Sequence, residues 1–309
     1  MTVLGVRVPA STSNLGAGFD CLGLALDIWI EARLEPGEGR PVYSGTVAGL
    51  DAESDLTYAL LRDHEALDGR HLTVHSDIPI GKGLGSSAAA IVAGLALVRL
   101  ALGDPFDRDA IFRGAAQEEG HPDNAGPAVY GGLVLAAHRP TKLTLHRDLG
   151  LALAIPEHAI STKAARDLLP ATVARETAVA QASRSAALVL GLTWGDPDLI
   201  DFGMDDRLAV PHRRNLIRGY DAAVRAALDA GAYGVTISGG GSALVAIAAQ
   251  ADAGLVAAAL AEALRTAGTP ADPLRAKVAA EGLTVLRSSG MNGGMDGMNG
   301  IDRAPRSTR

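Results

Sequence analysis

Residues 79–88 read Pro-Ile-Gly-Lys-Gly-Leu-Gly-Ser-Ser-Ala, and an almost unbroken apolar run follows from Ala88 to Leu102 before Gly103-Asp104-Pro105. Alternating glycines are costly inside a helix or strand, so this segment reads as a loop. The Ala/Leu-rich run ending in Gly-Asp-Pro reads as a buried helix with a stop signal. Ser86 and Ser87 then stand at the helix start, where hydroxyls cap. A glycine loop feeding a helix N-terminus suits an anion: backbone approaches closely, amides are free, and the helix end is positive. The alternative is a tight turn before a buried helix. Two familiar phosphate loops do not fit. A Walker loop needs Ser or Thr after its lysine, and Gly83 follows Lys82. In a dinucleotide fingerprint the third glycine comes one residue later, and Asp104 lies in a helix stop, not at a strand end.

The chain has 309 residues, enough for one large α/β unit or two fused lobes. Aromatics are only 4%, so Ala, Leu and Val must fill the core. Strands are expected over 2–8, 22–34, 72–75, 131–138, 151–155, 233–237, 243–248, 276–280 and 283–287, and helices over 107–118, 173–192, 214–230 and 252–267. Residues 288–309 are Gly- and Met-rich with little to bury, and read as a disordered tail. A net charge of −7 argues against a nucleic-acid partner but leaves an anionic small molecule open, since local charge can oppose the net. One cysteine, Cys21, permits no intrachain disulfide. The N-terminus looks like a strand, not a signal peptide, and no run reaches the ~18 apolar residues of a membrane span, so no membrane partner and a cytoplasmic location are expected.

Two more constellations carry polar chemistry. Residues 9–20, Pro-Ala-Ser-Thr-Ser-Asn-Leu-Gly-Ala-Gly-Phe-Asp, place hydroxyls, Asn14 and Asp20 between apolar stretches. They form either a pocket wall or a self-capped loop. Residues 118–127, Glu-Glu-Gly-His-Pro-Asp-Asn-Ala-Gly-Pro, follow a helix and mix acids, His121 and Asn124. Glu118 or Glu119, with a serine hydroxyl, could hold Mg²⁺, which keeps most of its waters. A solvated helix end is the alternative. Gly239-Gly240-Gly241, between two strands, is either a bulged hairpin or a close approach of backbone to ligand.

Taken together, the segments 9–20, 79–88 and 238–243 resemble, in order, the three motifs of the GHMP kinases. The homoserine kinase branch fits best: residues 9–20 match its first motif throughout, and Glu119-Gly120-His121-Pro122-Asp123-Asn124 matches its middle segment. The stretch from Ser161 to Pro170, the helix carrying Arg184, and Pro211-His212-Arg213 are also similar to that branch. The resemblance spans roughly residues 3–287. It implies an α+β, two-lobed fold, with a ribosomal protein S5 domain 2-like N-terminal lobe over 1–150 and a ferredoxin-like lobe over 151–287. It implies an ATP-dependent, Mg²⁺-requiring transferase that phosphorylates the L-homoserine hydroxyl in threonine biosynthesis, as a homodimer.

By the same resemblance, Pro79, Gly81, Lys82, Gly83, Leu84, Gly85, Ser86 and Ser87 would wrap ATP, and Ser87 and Glu119 would hold Mg²⁺. Asn14, Asp20, His121, Asn124 and Gly240 would line the substrate site, with Arg184 and Arg213 on the substrate carboxylate. Asn124 would orient the hydroxyl, with Glu119 and Ser87 the other catalytic groups and Asp123 a rival base. The third motif departs from the usual Ser-Gly-Ala-Gly-Pro-Thr, reading Ser238-Gly239-Gly240-Gly241-Ser242-Ala243. The alternatives are another GHMP small-molecule kinase of the mevalonate type, or a non-catalytic ligand-binding relative.

Overall fold

β1 (Leu4–Ser13) and β2 (Leu22–Pro36) form a long antiparallel pair, in a computed structural model that describes residues 3–286. β1 does not stop at Pro9, as the sequence suggests; it runs on to Ser13 with a register shift between Pro9 and Ala10. Proline cannot donate to a ladder, and a bulge is where a strand tolerates it. The extension carries Ser11, Thr12 and Ser13 into the protein as buried polar groups. β3 (Val42–Gly45), α1 (Leu56–Asp63) and β4 (Arg70–Ser76) follow, with β3 parallel to β4 and β4 antiparallel to β2.

The apolar run becomes α2 (Ser86–Leu102), whose buried residues from Ala88 to Val98 pack into the main core. Gly94 lets α1 approach: a Cβ there would lie 2.9 Å from Leu60 Cδ1. α3 (Arg108–Glu119) is capped by the Asp107 carboxylate, which accepts from the amides of Asp109 and Ala110. α4 (Ala125–Tyr130) is short and buried, and leads into β5 (Leu133–Leu135) and β6 (Thr141–Leu143), which extend the first sheet from β2.

The second sheet holds β7 (Leu149–Pro156), β8 (Ala232–Ile237), β9 (Leu244–Ala249) and β10 (Ala271–Ala276) in the order β10-β7-β9-β8, all antiparallel. Between β7 and β8 lie α5 (Thr162–Asp167), α6 (Arg175–Trp194), α7 (Pro197–Met204), α8 (Val210–Arg213) and α9 (Tyr220–Asp229). α10 (Ala253–Thr266) joins β9 to β10, giving the split β-α-β-β-α-β arrangement expected of a ferredoxin-like lobe. β7 shows why its sequence is a continuous apolar run. Leu149, Leu151 and Leu153 face the main core, while Ala152 and Ala154 face a second core under α9 and α10.

Two expectations need correction. The strand read at 276–280 is really β10 at 271–276, and the chain then crosses back through the bridge Leu26–Val278. That return delivers β11 (Thr284–Leu286) to β1, so the last described residues belong to the first sheet. The helix read over 214–230 is continuous only in α9, because Gly219 interrupts it with a φ of +89°. The tail read from residue 288 lies outside the described residues.

Candidate active site

A cleft of about 100 Å³ gathers residues from every motif singled out in the sequence. Its floor is the loop before α2. Gly81, Gly83 and Gly85 all have left-handed φ, at +69°, +77° and +68°. Their lack of a side chain serves packing as well as ligand approach. A Cβ on Gly83 would fall 2.0 Å from the Ser238 carbonyl oxygen, and one on Gly85 would fall 2.1 Å from Ser11 Oγ. Both neighbours are parts of other motifs, so the three motifs lock together through these glycines. The lock is completed by backbone bonds from Ser11 to Leu84 and from Ala243 to Lys82, at 3.1 and 2.9 Å, and by Ser238 Oγ donating to the Gly83 carbonyl at 2.6 Å.

The expected serine caps are not caps. Gly85 is the N-cap of α2 and makes no side-chain bond, while Ser86 and Ser87 are the first two helical residues. The first-turn amides of a 17-residue helix are thus left for a ligand. Beside them lies a largely apolar recess of about 270 Å³, lined by Ile30, Tyr43, Val47, Leu50, Val74 and Ile80 among others and open to Gly81, Ser86 and Ser87.

Glu119, the last residue of α3, points into the cleft with its side chain 8% exposed, whereas Glu118 faces solvent. Burial pushes the Glu119 carboxyl up, and a Ser87 hydrogen bond and the charge of His121 pull it partly back. A desolvated carboxylate beside a hydroxyl, with His121 Nδ1 no nearer than 4.0 Å, fits a small hard cation.

Next along the chain, Asp123 is 1% exposed and works as a brace. Its Oδ1 accepts from His121 Nδ1 at 2.6 Å and from the Asn124 amide at 3.0 Å. Burial alone would lower the His121 pKa, but the hydrogen bond and charge of Asp123, with Glu119 behind, hold it above the usual imidazole range. The Asn124 side chain is fixed at both ends: its Oδ1 accepts from Ser11 Oγ at 2.9 Å and its Nδ2 donates to Ser13 Oγ at 3.1 Å. The bulge in β1 therefore sets the orientation of Asn124.

The far wall joins the loop after β1 to residues from later in the chain. Asn14, left-handed at φ +68°, accepts from the Asp20 amide and donates to the Gly239 carbonyl, at 2.9 and 3.1 Å. Gly240 lines the cleft, with room for a Cβ no closer than 3.6 Å to any neighbour. Arg213 is 3% exposed and donates Nε to the Ala165 carbonyl and Nη1 to the Gly239 carbonyl, at 3.0 and 3.2 Å. Two of its five donors are used, and no carboxylate pairs with it among the described residues.

Arg184 is not in the cleft. It lies over the Phe202 ring at 4.4 Å and pairs with Asp205 at 3.2 Å, bracing α6 against the end of α7. The cleft's second guanidinium is Arg166 of α5, which grips Asp20 through both Nη atoms, 3.1 Å for Nη1–Oδ2. Among the described residues its buried Nε has no partner, and the Phe19 ring lies under both arginines, 5.8 Å from Arg166 and 5.4 Å from Arg213. Arg166 was within reach of the sequence, in the segment Ser161–Pro170, but six-residue α5 has no periodicity to say which side chain faces inward. Lys82 also leaves the expected set: its ammonium is held by the Glu157 carbonyl. Pro79 does not line the cleft.

The sequence matches the model for the GHMP kinases N terminal domain over residues 54–132 and that for the GHMP kinases C terminal domain over 195–266. It is 37% identical to a homoserine kinase of Picosynechococcus sp., a match covering 93% of this chain and 100% of the relative. A homoserine kinase of Gloeobacter violaceus is 41% identical, over 78% of this chain and 86% of the relative. Among solved structures, the homoserine kinase of Cytophaga hutchinsonii superposes with a TM-score of 0.79 at 31% identity, covering 93% of this chain and 98% of its own. Mevalonate diphosphate decarboxylase from Staphylococcus aureus shares the fold alone, with a TM-score of 0.65 at 13% identity over 93% of this chain and 98% of its own.

Proposed function

The chain belongs to the homoserine kinases of the GHMP family, and from that premise we propose how its cleft phosphorylates the hydroxyl of L-homoserine with ATP. The observation that carries the reading is Arg213, a buried guanidinium lying beside Arg166 without a carboxylate of its own. A buried charge needs a partner, and a guanidinium fork matches a carboxylate. Asp20, paired with Arg166 on the same wall, supplies the complementary anion for an ammonium. The pair fits the two ends of an α-amino acid.

The free first-turn amides of α2 and the glycine loop bind the nucleotide's phosphates, and the apolar recess beside them takes the base. Glu119 and Ser87 hold Mg²⁺, which supplies charge neutralisation on the phosphates when bound. Asn124, fixed by Ser11 and Ser13, presents its amide to the substrate hydroxyl. The hydroxyl oxygen forms a bond to the γ-phosphorus as the bond from phosphorus to the β–γ bridging oxygen breaks, and ADP leaves. Asp123 spends one carboxylate oxygen on His121 and Asn124, so it acts as a brace and the proton leaves on the transferred phosphoryl group. A loose transition state depends on alignment and charge neutralisation more than on early deprotonation.

Release of ADP, followed with MgATP and a panel of homoserine, serine, threonine, mevalonate and galactose, tests this. Turnover is expected to favour homoserine strongly and to vanish without Mg²⁺. Preference for mevalonate or a sugar would keep the fold and refute the substrate.

A further inference from the structure

A second cavity, larger than the catalytic cleft, lies elsewhere among the described residues. It measures about 610 Å³ and lies where the edge of the first sheet meets the second. β6 and the segment before β7 form one wall, and the strand β10 with the crossover after it forms the other. Its floor is apolar, built from Leu133, Leu143, Leu145, Leu149, Leu151 and Val278. Its rim is basic: Lys142, Arg147, Arg275 and Lys277 line it together with His146, and among the described residues no Asp or Glu does. In a chain of net charge −7 this local excess runs against the whole.

The rim cations are unevenly satisfied. Arg147 has a neighbouring carboxylate, Asp148, at 3.7 Å. Lys142 donates to the carbonyls of Tyr130 and Ala280, at 3.3 and 2.6 Å, and Arg275 to the carbonyl of Gln250 at 2.9 Å. Among the described residues neither of these, nor Lys277, has a carboxylate within ion-pair distance. Carbonyls fix the position of such cations without neutralising them, which is how a protein presets a site for an anion. The tail beyond the described residues is a poor occupant, since Asp296 and Asp302 are outnumbered there by Arg303, Arg306 and Arg309.

We propose that this cavity is a second ligand site, separate from the catalytic cleft, for a small organic dianion. Its acidic groups, phosphate or paired carboxylates, meet Lys142, Arg275 and Lys277, and its apolar part rests on the leucine floor. Lys142 ties the ligand to the end of α4, whose other end is Asn124.

Calorimetric titration of the full chain tests it, with the catalytic cleft saturated by a non-hydrolysable ATP analogue. Phenyl phosphate and phthalate are the probes, one for each source of charge. At least one should bind at a single site. Its affinity should fall at least about tenfold, the factor for one charge-assisted hydrogen bond, in the double variant Arg275→Glu, Lys277→Glu. Both residues are exposed, and homoserine turnover should survive the change. Equal affinity in wild type and variant would place the binding elsewhere and overturn the proposal. So would no binding of either probe, including the case where the charge reversal only alters self-association.

Discussion

Among the described residues Arg213 has no carboxylate to pair with, and that makes it the residue on which substrate choice turns. Arg213→Met should lower kcat/KM for homoserine by about 100-fold, in line with loss of a bidentate charge-assisted pair, and leave ATP affinity unchanged. Steady-state kinetics at fixed saturating ATP reads this. Glu119 gives a pH prediction. Burial raises its pKa, so it takes up a proton at a higher pH than an ordinary carboxyl, and only the ionised form holds a metal. Mg²⁺ affinity should therefore fall as the pH drops through that raised value, and Glu119→Gln should be weak at every pH. His121 acts in the opposite sense on stability. Its raised pKa contributes stability that is fully present below the ordinary imidazole range and is lost as the pH rises through the folded-state value. Denaturant titrations of His121→Gln across that window should show a flatter pH dependence than wild type. At this scale the sequence singled out Asn14, Glu119, His121, Asn124 and Arg213, which line the cleft, and Asp20, which pairs with the cleft's Arg166. Arg184, also expected there, lies on Asp205 instead, because an arginine on an amphipathic helix serves a neighbouring carboxylate as readily as a substrate, and only docking of α5 and α6 shows which side chain faces the cleft.

α2 was the most legible element, since a long apolar run between a glycine loop and Gly-Asp-Pro admits little else. What stood hidden was why its glycines are needed. Gly83 and Gly85 are held by Ser238 and Ser11, residues far away in the chain, so the constraint is tertiary and leaves no local mark. Gly83→Ala should destabilise by roughly 2–4 kcal/mol, combining a left-handed residue with a backbone clash that cannot relax cheaply. Thermal unfolding would detect it, and an unchanged midpoint would refute the packing role. The short helices α1, α5 and α7 escaped notice for a different reason: at eight residues or fewer they offer barely two turns of pattern. The extension of β1 past Pro9 escaped because a proline ordinarily ends a strand, and only the bulge in its pairing with β2 permits it.

The two sheets are fastened by a return of the chain that composition does not announce. β11 pairs Thr284, Val285 and Leu286 with Arg7, Val6 and Gly5, and so covers an edge of β1. A chain ended at Ala276 should expose that edge, unfold at lower denaturant and aggregate, which light scattering at matched concentration would show. Among the described residues no helix is long and apolar enough to cross a membrane. The central claim is that the cleft reads both ends of an amino acid while presenting its hydroxyl. It is tested most directly by comparing kcat/KM for homoserine with that for 3-aminopropanol, which lacks the carboxylate, and for 4-hydroxybutyrate, which lacks the ammonium. The account predicts that homoserine exceeds each by at least about 100-fold, one strong ionic contact being lost in each analogue. Comparable turnover of 3-aminopropanol would contradict it, because Arg166 and Arg213 would then have no part in choosing the substrate.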